Sequence, residues 1–282
     1  MGAIDLDHLR GWIGRSRNDT DLISLRQARL LVATVDYHAP GRIADGEELP
    51  PLWHWIYFLE GVPQSGLGPD GHPLRGGFLP PVPLPNRLWA GGRVSFIEPL
   101  RIGSIARKDS TILKIDHKKG RSGDLVFVTV GHELRSPRGA LLVREEHDIV
   151  YRNATPPGPA MTIAAPASAA HPTVVTPSAT MLFRYSALTF NGHRIHYDAD
   201  YCRQHEGYAN LVIHGPLLAT LLATHAEQAG GARLAEFNYR AMATALLGEA
   251  IVLQAEVFGA RVVAQATHGE SGLCMQAEAR LR

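Results

Sequence analysis

Residues 183–198 read Phe183-Arg184-Tyr185-Ser186-Ala187-Leu188-Thr189-Phe190-Asn191-Gly192-His193-Arg194-Ile195-His196-Tyr197-Asp198, and a second patterned stretch follows at Leu211-Val212-Ile213-His214-Gly215-Pro216-Leu217-Leu218. The apolar run Met181–Leu188 reads as a strand that ends in a polar loop holding Asn191, His193 and His196. Asp198 stands where an N-cap belongs and opens a short polar helix, Ala199–Glu206. After the extended run Leu211–Ile213, Pro216 falls in the first turn of a long helix, where a missing N–H costs nothing. That helix carries Leu217, Leu218, Leu221 and Leu222 on one side, Ala219 and Ala223 on the other, and almost no charge before Glu227. A helix apolar on so much of its surface is expected to be wrapped by a sheet.

This layout resembles the hydratase-type hotdog enzymes, the MaoC-like or (R)-specific enoyl-CoA hydratase family. Their signature is Asp-x-Asn-Pro-(Ile/Leu)-His-x-Asp on the loop before the hotdog helix, which a later His-Gly step begins. The histidine of that signature matches His196, and Gly215 follows it by nineteen residues. Asn191 stands in place of the catalytic aspartate and His193 in place of the asparagine. The variant Phe-Asn-x-His-x-Ile-His-Tyr is similar to the branch of mesaconyl-C4-CoA and itaconyl-CoA hydratases and the mitochondrial 3-hydroxyacyl-thioester dehydratase.

The resemblance implies an α+β double hotdog, two antiparallel sheets each wrapped round a central helix and fused in one chain. It implies a lyase that adds water reversibly across a double bond conjugated to a CoA thioester, with no cofactor beyond that substrate. Within the branch the substrate would be a branched C5 dicarboxylyl-CoA, as in itaconate degradation. A 3-hydroxyacyl-thioester dehydratase of fatty-acid metabolism is the competing enzyme. A non-catalytic acyl-CoA-binding subunit, with Asn191 as a mark of decay, is the alternative from another class.

Three residues are expected to carry the chemistry. His196 has the near-neutral proton affinity needed to take a proton from water and return one. Asn191 cannot be a base, but its amide can hold water or a substrate oxygen. Gly215 offers a backbone N–H at a helix N-terminus, where a thioester oxygen gains negative charge. His193, Asp198 and His214 are supporting candidates, with Asp198 read as an N-cap rather than an acid. A free carboxylate entering an apolar slot needs a paired cation, and arginine matches it best. Arg194, Arg184, Arg87 and Arg93 are the candidates, with Trp89 as a wall of the slot. His193 and His196 with His205 and His214 lack acidic or cysteine ligands at zinc spacing, so no metal is expected.

The remainder of the chain bounds the reading. Its 282 residues suffice for a sizeable core. A net charge of +1 with 20% charged residues gives no electrostatic case for nucleic acid or an acidic membrane. No signal-like or membrane-length apolar run occurs, and two cysteines in unrelated contexts suggest no disulfide framework. A cytoplasmic protein is expected, most simply a homodimer.

Residues 5–17 and Ser24–Val35 read as helices, and Leu52–Leu59 as a short aromatic one. Residues 61–86 have neither period and are punctuated by Gly and Pro, the pattern of a functional flap. Strands are expected at Arg87–Leu100, Ser104–His117, Leu125–Glu133 and Ala140–Tyr151. The turn Lys118-Lys119-Gly120-Arg121 is a solvated hairpin tip that could meet a CoA phosphate. The Ala/Pro-rich stretch Asn153–Pro177 reads as a linker, dividing the chain into an N-terminal half (1–152), which shapes the substrate pocket, and a catalytic half (178–282). Four further strands follow the apolar helix, at Arg233–Ala245, Glu249–Gly259, Arg261–His268 and Leu273–Arg282.

Overall fold

Ten strands pair into one antiparallel sheet in a computed structural model, which describes residues 4–37, 43–120, 123–153, 172–269 and 272–282. Those of the first half are β1 (Ser16–Leu22), β2 (Asn86–Phe96), β3 (Ile105–Gly120), β4 (Gly123–Arg135) and β5 (Leu141–Arg152). Those of the second are β6 (Thr173–Val175), β7 (Leu234–Ala241), β8 (Ile251–Phe258), β9 (Arg261–His268) and β10 (Gly272–Leu281). The order β1-β3-β4-β5-β2-β7-β10-β9-β8-β6 reads the same from either edge once each strand is matched to its counterpart. This is the double hotdog, with β2 and β7 forming the seam.

The Trp-Ala-Gly-Gly-Arg motif lies on that seam. A bulge between Trp89 and Gly91 shifts the register of β2 against β5. A Cβ on Gly91 would stand 2.5 Å from the Tyr239 carbonyl oxygen, and one on Gly92 would overlap the Tyr239 hydroxyl. Glycine is what lets β5 and β7 both approach β2 there.

Among the described residues five α-helices accompany the sheet: α1 (Leu6–Arg10), α2 (Leu25–Val35), α3 (Ala179–Leu188), α4 (Ala199–Tyr201) and α5 (Gly215–Gly230). The apolar helix α5 buries Leu217, Leu218, Leu222, Ala219, Ala223 and Ala226 against strands β7–β10. α2 packs on α3, and both join α5 in one core with Trp53, Ile56 and Phe237. In the first half, the position between α2 and β2 corresponds to that of α5. Its described residues hold only 3-10 turns, at Trp53–Ile56 and Gln64–Gly66, and irregular chain.

Four local expectations are corrected. Met181–Leu188 belongs to helix α3, not a strand: Ser178 caps it by accepting from the Met181 N–H, and Leu182, Tyr185 and Ser186 are buried at helical spacing. Residues 5–17 are not one helix, because α1 ends at Gly11 and the chain from Ser16 is the edge strand β1. Leu52–Leu59 forms only the turn Trp53–Ile56, bounded by the positive φ of Leu52 and Phe58, which a helix cannot accommodate. β6 lies inside the stretch read as linker and pairs with β8; residues 154–171 and Arg121 lie outside the described ones.

Candidate active site

The chain leaves α3 with Phe190 at positive φ and folds back at once. The Asn191 N–H donates to the Ser186 carbonyl at 2.8 Å, and Asn191 Oδ1 accepts from the His193 N–H at 3.0 Å. A single 3-10 turn, Arg194–His196, then brings His196 under α5. Its Nδ1 lies 2.7 Å from the Val212 carbonyl oxygen, which only an Nδ1–H can satisfy. The Nε2 lone pair is left for chemistry. Behind His196 the His214 ring stacks at 3.6 Å, with its Nε2 2.9 Å from Ser186 Oγ.

His196, Asn191, His193, Gly215, Arg87 and Trp89 line one cavity of about 480 Å³. His72, from the flap, lines it too. A second cavity of about 600 Å³ shares Arg87, Trp89, Ile149, Asn191 and Pro216 with the first. Trp55, Tyr57, Phe58, Phe78 and Leu79 line it, occupying the region where the first half has irregular chain in place of a long helix. Buried Glu145 fixes that wall by accepting from Trp55 Nε1 at 2.8 Å and pairing with His54 at 2.8 Å. Both halves therefore build the site.

Gly215 does two things. A Cβ there would stand 2.8 Å from Trp89 Cε3, so the indole packs directly on the backbone. Its N–H is also among the first of α5, where helical geometry supplies no acceptor.

The other candidates are placed less uniformly. Asp198 caps α4 through the Tyr201 N–H at 2.9 Å and pairs with Arg194 at 2.7 Å. Arg194 thereby turns away from the cavity and lies over the Tyr201 ring. Arg184 reaches the Ala33 carbonyl on the surface, because α3 is a helix and not the expected strand. Arg93 pairs with Glu146 and Asp148 on the solvent face of β2. Of the four arginines only Arg87 lines the cavities. No carboxylate among the described residues lies within ion-pair distance of it.

The histidines are held neutral. Burial pushes His196 down to about 4, partly opposed by its bond to Val212, and pushes His193 down to about 2. It also lowers His72, and takes His214 well below the usual imidazole range. A histidine that must stay uncharged when folded, but titrates near 6.5 when unfolded, destabilises the fold as pH drops between the two values. The melting temperature is thus expected to be flat above about pH 6.5 and to fall steadily from there towards pH 4. Across the range where circular dichroism shows the protein folded, the kcat/KM profile should have no acid inflection near 6.5. An inflection there would mean that the reacting histidine is solvated.

The residues that sequence reasoning passed over are Asp70 and His72. They sit in Gly68-Pro69-Asp70-Gly71-His72, inside the stretch 61–86 read as a functional flap. The usable signal was an Asp-x-His pair in a flap with few other titratable groups. The ligand atoms of Asp70, His72 and His193 lie within 4.8 Å of one another, a spacing that could hold a metal ion. Both Asp70 oxygens, however, already bind His72, at its N–H (3.0 Å) and at Nδ1 (3.1 Å). Cys202 and Cys274 are free and buried. No helix among the described residues is long and apolar enough to cross a membrane.

The chain has relatives in both sequence and fold. The family model described as hydroxyacyl-thioester dehydratase type 2 matches residues 52–247. The chain is 48% identical over 234 residues to the mesaconyl-C(4)-CoA hydratase of Chloroflexus aurantiacus, covering 82% of this chain and 83% of that one. It is 28% identical over 226 residues to the mitochondrial hydroxyacyl-thioester dehydratase type 2 of Schizosaccharomyces pombe, covering 71% and 75%. A solved MaoC-like dehydratase superposes with a TM-score of 0.74 over 97% of this chain and 99% of its own, at 15% identity, a likeness of fold alone. The protein is a hydro-lyase. It belongs to the hydroxyacyl-thioester dehydratase type 2 family.

Proposed function

We propose that the protein hydrates a branched C5 dicarboxylyl-CoA thioester reversibly, mesaconyl-C4-CoA first and itaconyl-CoA second. The observation that carries this reading is Arg87, a cation that no described carboxylate pairs, on the wall shared by both cavities. In mesaconyl-C4-CoA the free carboxylate is bonded to the carbon that takes up water. Its partner must then stand beside the group that handles the water, not at the end of a long acyl slot. Arg87 lines the same cavity as His72, His193 and His196. The relative at 48% identity, named a mesaconyl-C(4)-CoA hydratase, supports the same substrate.

In the chemistry we infer, His196 Nε2 takes a proton from water as the oxygen bonds to the carbon β to the thioester. Electron density moves to the thioester oxygen, where the Gly215 N–H and the positive end of α5 stabilise it. The imidazolium of His196 returns its proton to the α carbon, so one histidine serves both transfers. Asn191 Oδ1 accepts from the His193 N–H and so sets the shape of the loop, while Nδ2 is a further donor. Asn191→Asp keeps that acceptor and should retain most activity, whereas Asn191→Ala should lose about 10-fold or more in kcat. Steady-state kinetics on the two variants checks this; an inactive Asp variant would assign the essential contact to Nδ2.

The test of the function is a panel of mesaconyl-C4-, itaconyl-, crotonyl- and longer enoyl-CoAs, followed by loss of enoyl-thioester absorbance. The highest kcat/KM is expected on a C5 dicarboxylyl ester. The aromatic wall of the second cavity favours one other reading, dehydration of 3-hydroxyacyl thioesters of fatty-acid metabolism. Turnover on long enoyl-CoAs with none on the dicarboxylyl esters would establish that reading instead.

A further inference from the structure

We propose that His72, carried on the flap and held by Asp70, is a catalytic residue whose Nε2 accepts the second O–H of the attacking water. This rests on the hydratase reading above and extends it. A water about to attack carbon must have its hydrogens held so that an oxygen lone pair faces the substrate. His196 Nε2 takes one hydrogen. Asn191 Oδ1, standing where the resemblance puts a carboxylate, is a neutral amide oxygen that already accepts from the His193 N–H. The loop itself thus offers water no carboxylate.

His72 meets that need. It lines the cavity with His196, and its ring centroid lies 4.0 Å from that of His193. Asp70 Oδ2 is 3.1 Å from Nδ1, so the proton sits on Nδ1 and the Nε2 lone pair is the free one. Burial would raise the Asp70 carboxyl, but its bonds to His72 outweigh this and hold it well below the usual range. The Asp70–His72 pair therefore keeps one tautomer.

The flap is also fastened in place. The Arg194 N–H donates to the Asp70 carbonyl at 2.9 Å, and the Arg194 guanidinium to that of Pro69 at 3.2 Å. Gly71 and Gly192 meet backbone to backbone: a Cβ on Gly71 would overlap the Gly192 carbonyl, and one on Gly192 would stand 2.8 Å from the Gly71 oxygen. Gly71 also has φ +84°, which other residues adopt only under strain. Two bare glycines at one crossing bring the flap close enough for His72 to reach the catalytic loop. The metal alternative is weaker, since both Asp70 oxygens are already taken by His72, at its N–H and at Nδ1.

The deciding variant is Asp70→Asn. Its Oδ1 can still accept from the His72 N–H, while its Nδ2 donates to Nδ1 and moves the ring proton to Nε2, turning the acceptor into a donor. The expected result is a fall in kcat of about 10–100-fold at unchanged KM and melting temperature. His72→Gln, which can place an oxygen near the Nε2 position, should exceed His72→Ala by roughly 10-fold in kcat. Histidine ¹⁵N NMR of the enzyme without substrate should show an unprotonated Nε2 on His72, and a protonated one in Asp70→Asn. Wild-type kcat in Asp70→Asn, equal rates for the Gln and Ala variants, an Nε2–H tautomer in the wild type, or loss of activity on dialysis against EDTA would each overturn the proposal. Wild-type turnover on the substrate panel tests the hydratase reading separately, and the NMR result stands whichever substrate is used.

Discussion

His196→Ala is expected to lower kcat by about 10²–10⁴-fold, the range for removing a general acid–base group. The position of the ring and its proton are both set. Val212 fixes Nδ1–H, His214 stacks on one face, and Nε2 is left at the cavity. Because a buried neutral ring is replaced by a smaller apolar group, the acid fall in melting temperature should become shallower in the variant. The alanine hole also costs packing with His214, so stability is to be measured alongside rate. Near-normal kcat in a folded His196→Ala enzyme would remove the proposed mechanism. His214→Ala serves as the comparison, since that ring supports His196 without lining the cavity; its loss should be clearly smaller.

Much of this site was legible in the sequence because it is local. Asn191, His193, His196 and Gly215 belong to two short segments, and their spacing to Asp198 and Pro216 identifies a loop and a helix start. The alternation of Val126, Val128 and Val130 likewise gave β4, since those residues are the buried ones in the strand. What failed was local too, but ambiguous. Met181–Leu188 is an apolar octet that either period can fit, and only burial of Leu182, Tyr185 and Ser186 on one face selects the helix. β1 was invisible because Ser16–Leu22 is mostly exposed and polar, and pairs with β3 only along one edge. His72 and the choice of Arg87 among four arginines depend on contacts across more than a hundred residues. No spacing rule reports such contacts.

Replacing Arg87 with Met is expected to cost about 10- to 150-fold in kcat/KM on a dicarboxylyl-CoA, the equivalent of a charge-assisted pair of roughly 1.5–3 kcal/mol. Methionine keeps much of the apolar stem and removes only the planar fork that can grip a carboxylate. Crotonyl-CoA, which lacks the carboxylate, should be nearly unaffected, so the informative quantity is the ratio of the two losses. Three control variants follow from the geometry. Arg194→Met loses a pair with Asp198, Arg184→Met a carbonyl contact at Ala33, and Arg93→Met the pairs with Glu146 and Asp148. None of these three guanidinium groups faces the cavities, so none should discriminate between the two esters. Two other cations of the second cavity have no described carboxylate partner: Arg75, which donates to the carbonyls of Val82, Leu84 and Pro85, and Lys108. Burial lowers the proton affinity of Lys108, which lies over the Phe58 ring. Lys108→Met should therefore have less effect on the ratio than Arg87→Met. If Arg87→Met slows crotonyl-CoA and the dicarboxylyl ester equally, the guanidinium holds the wall and not the substrate. The dicarboxylate assignment then loses its carrying observation, and the fatty 3-hydroxyacyl dehydratase becomes the better reading.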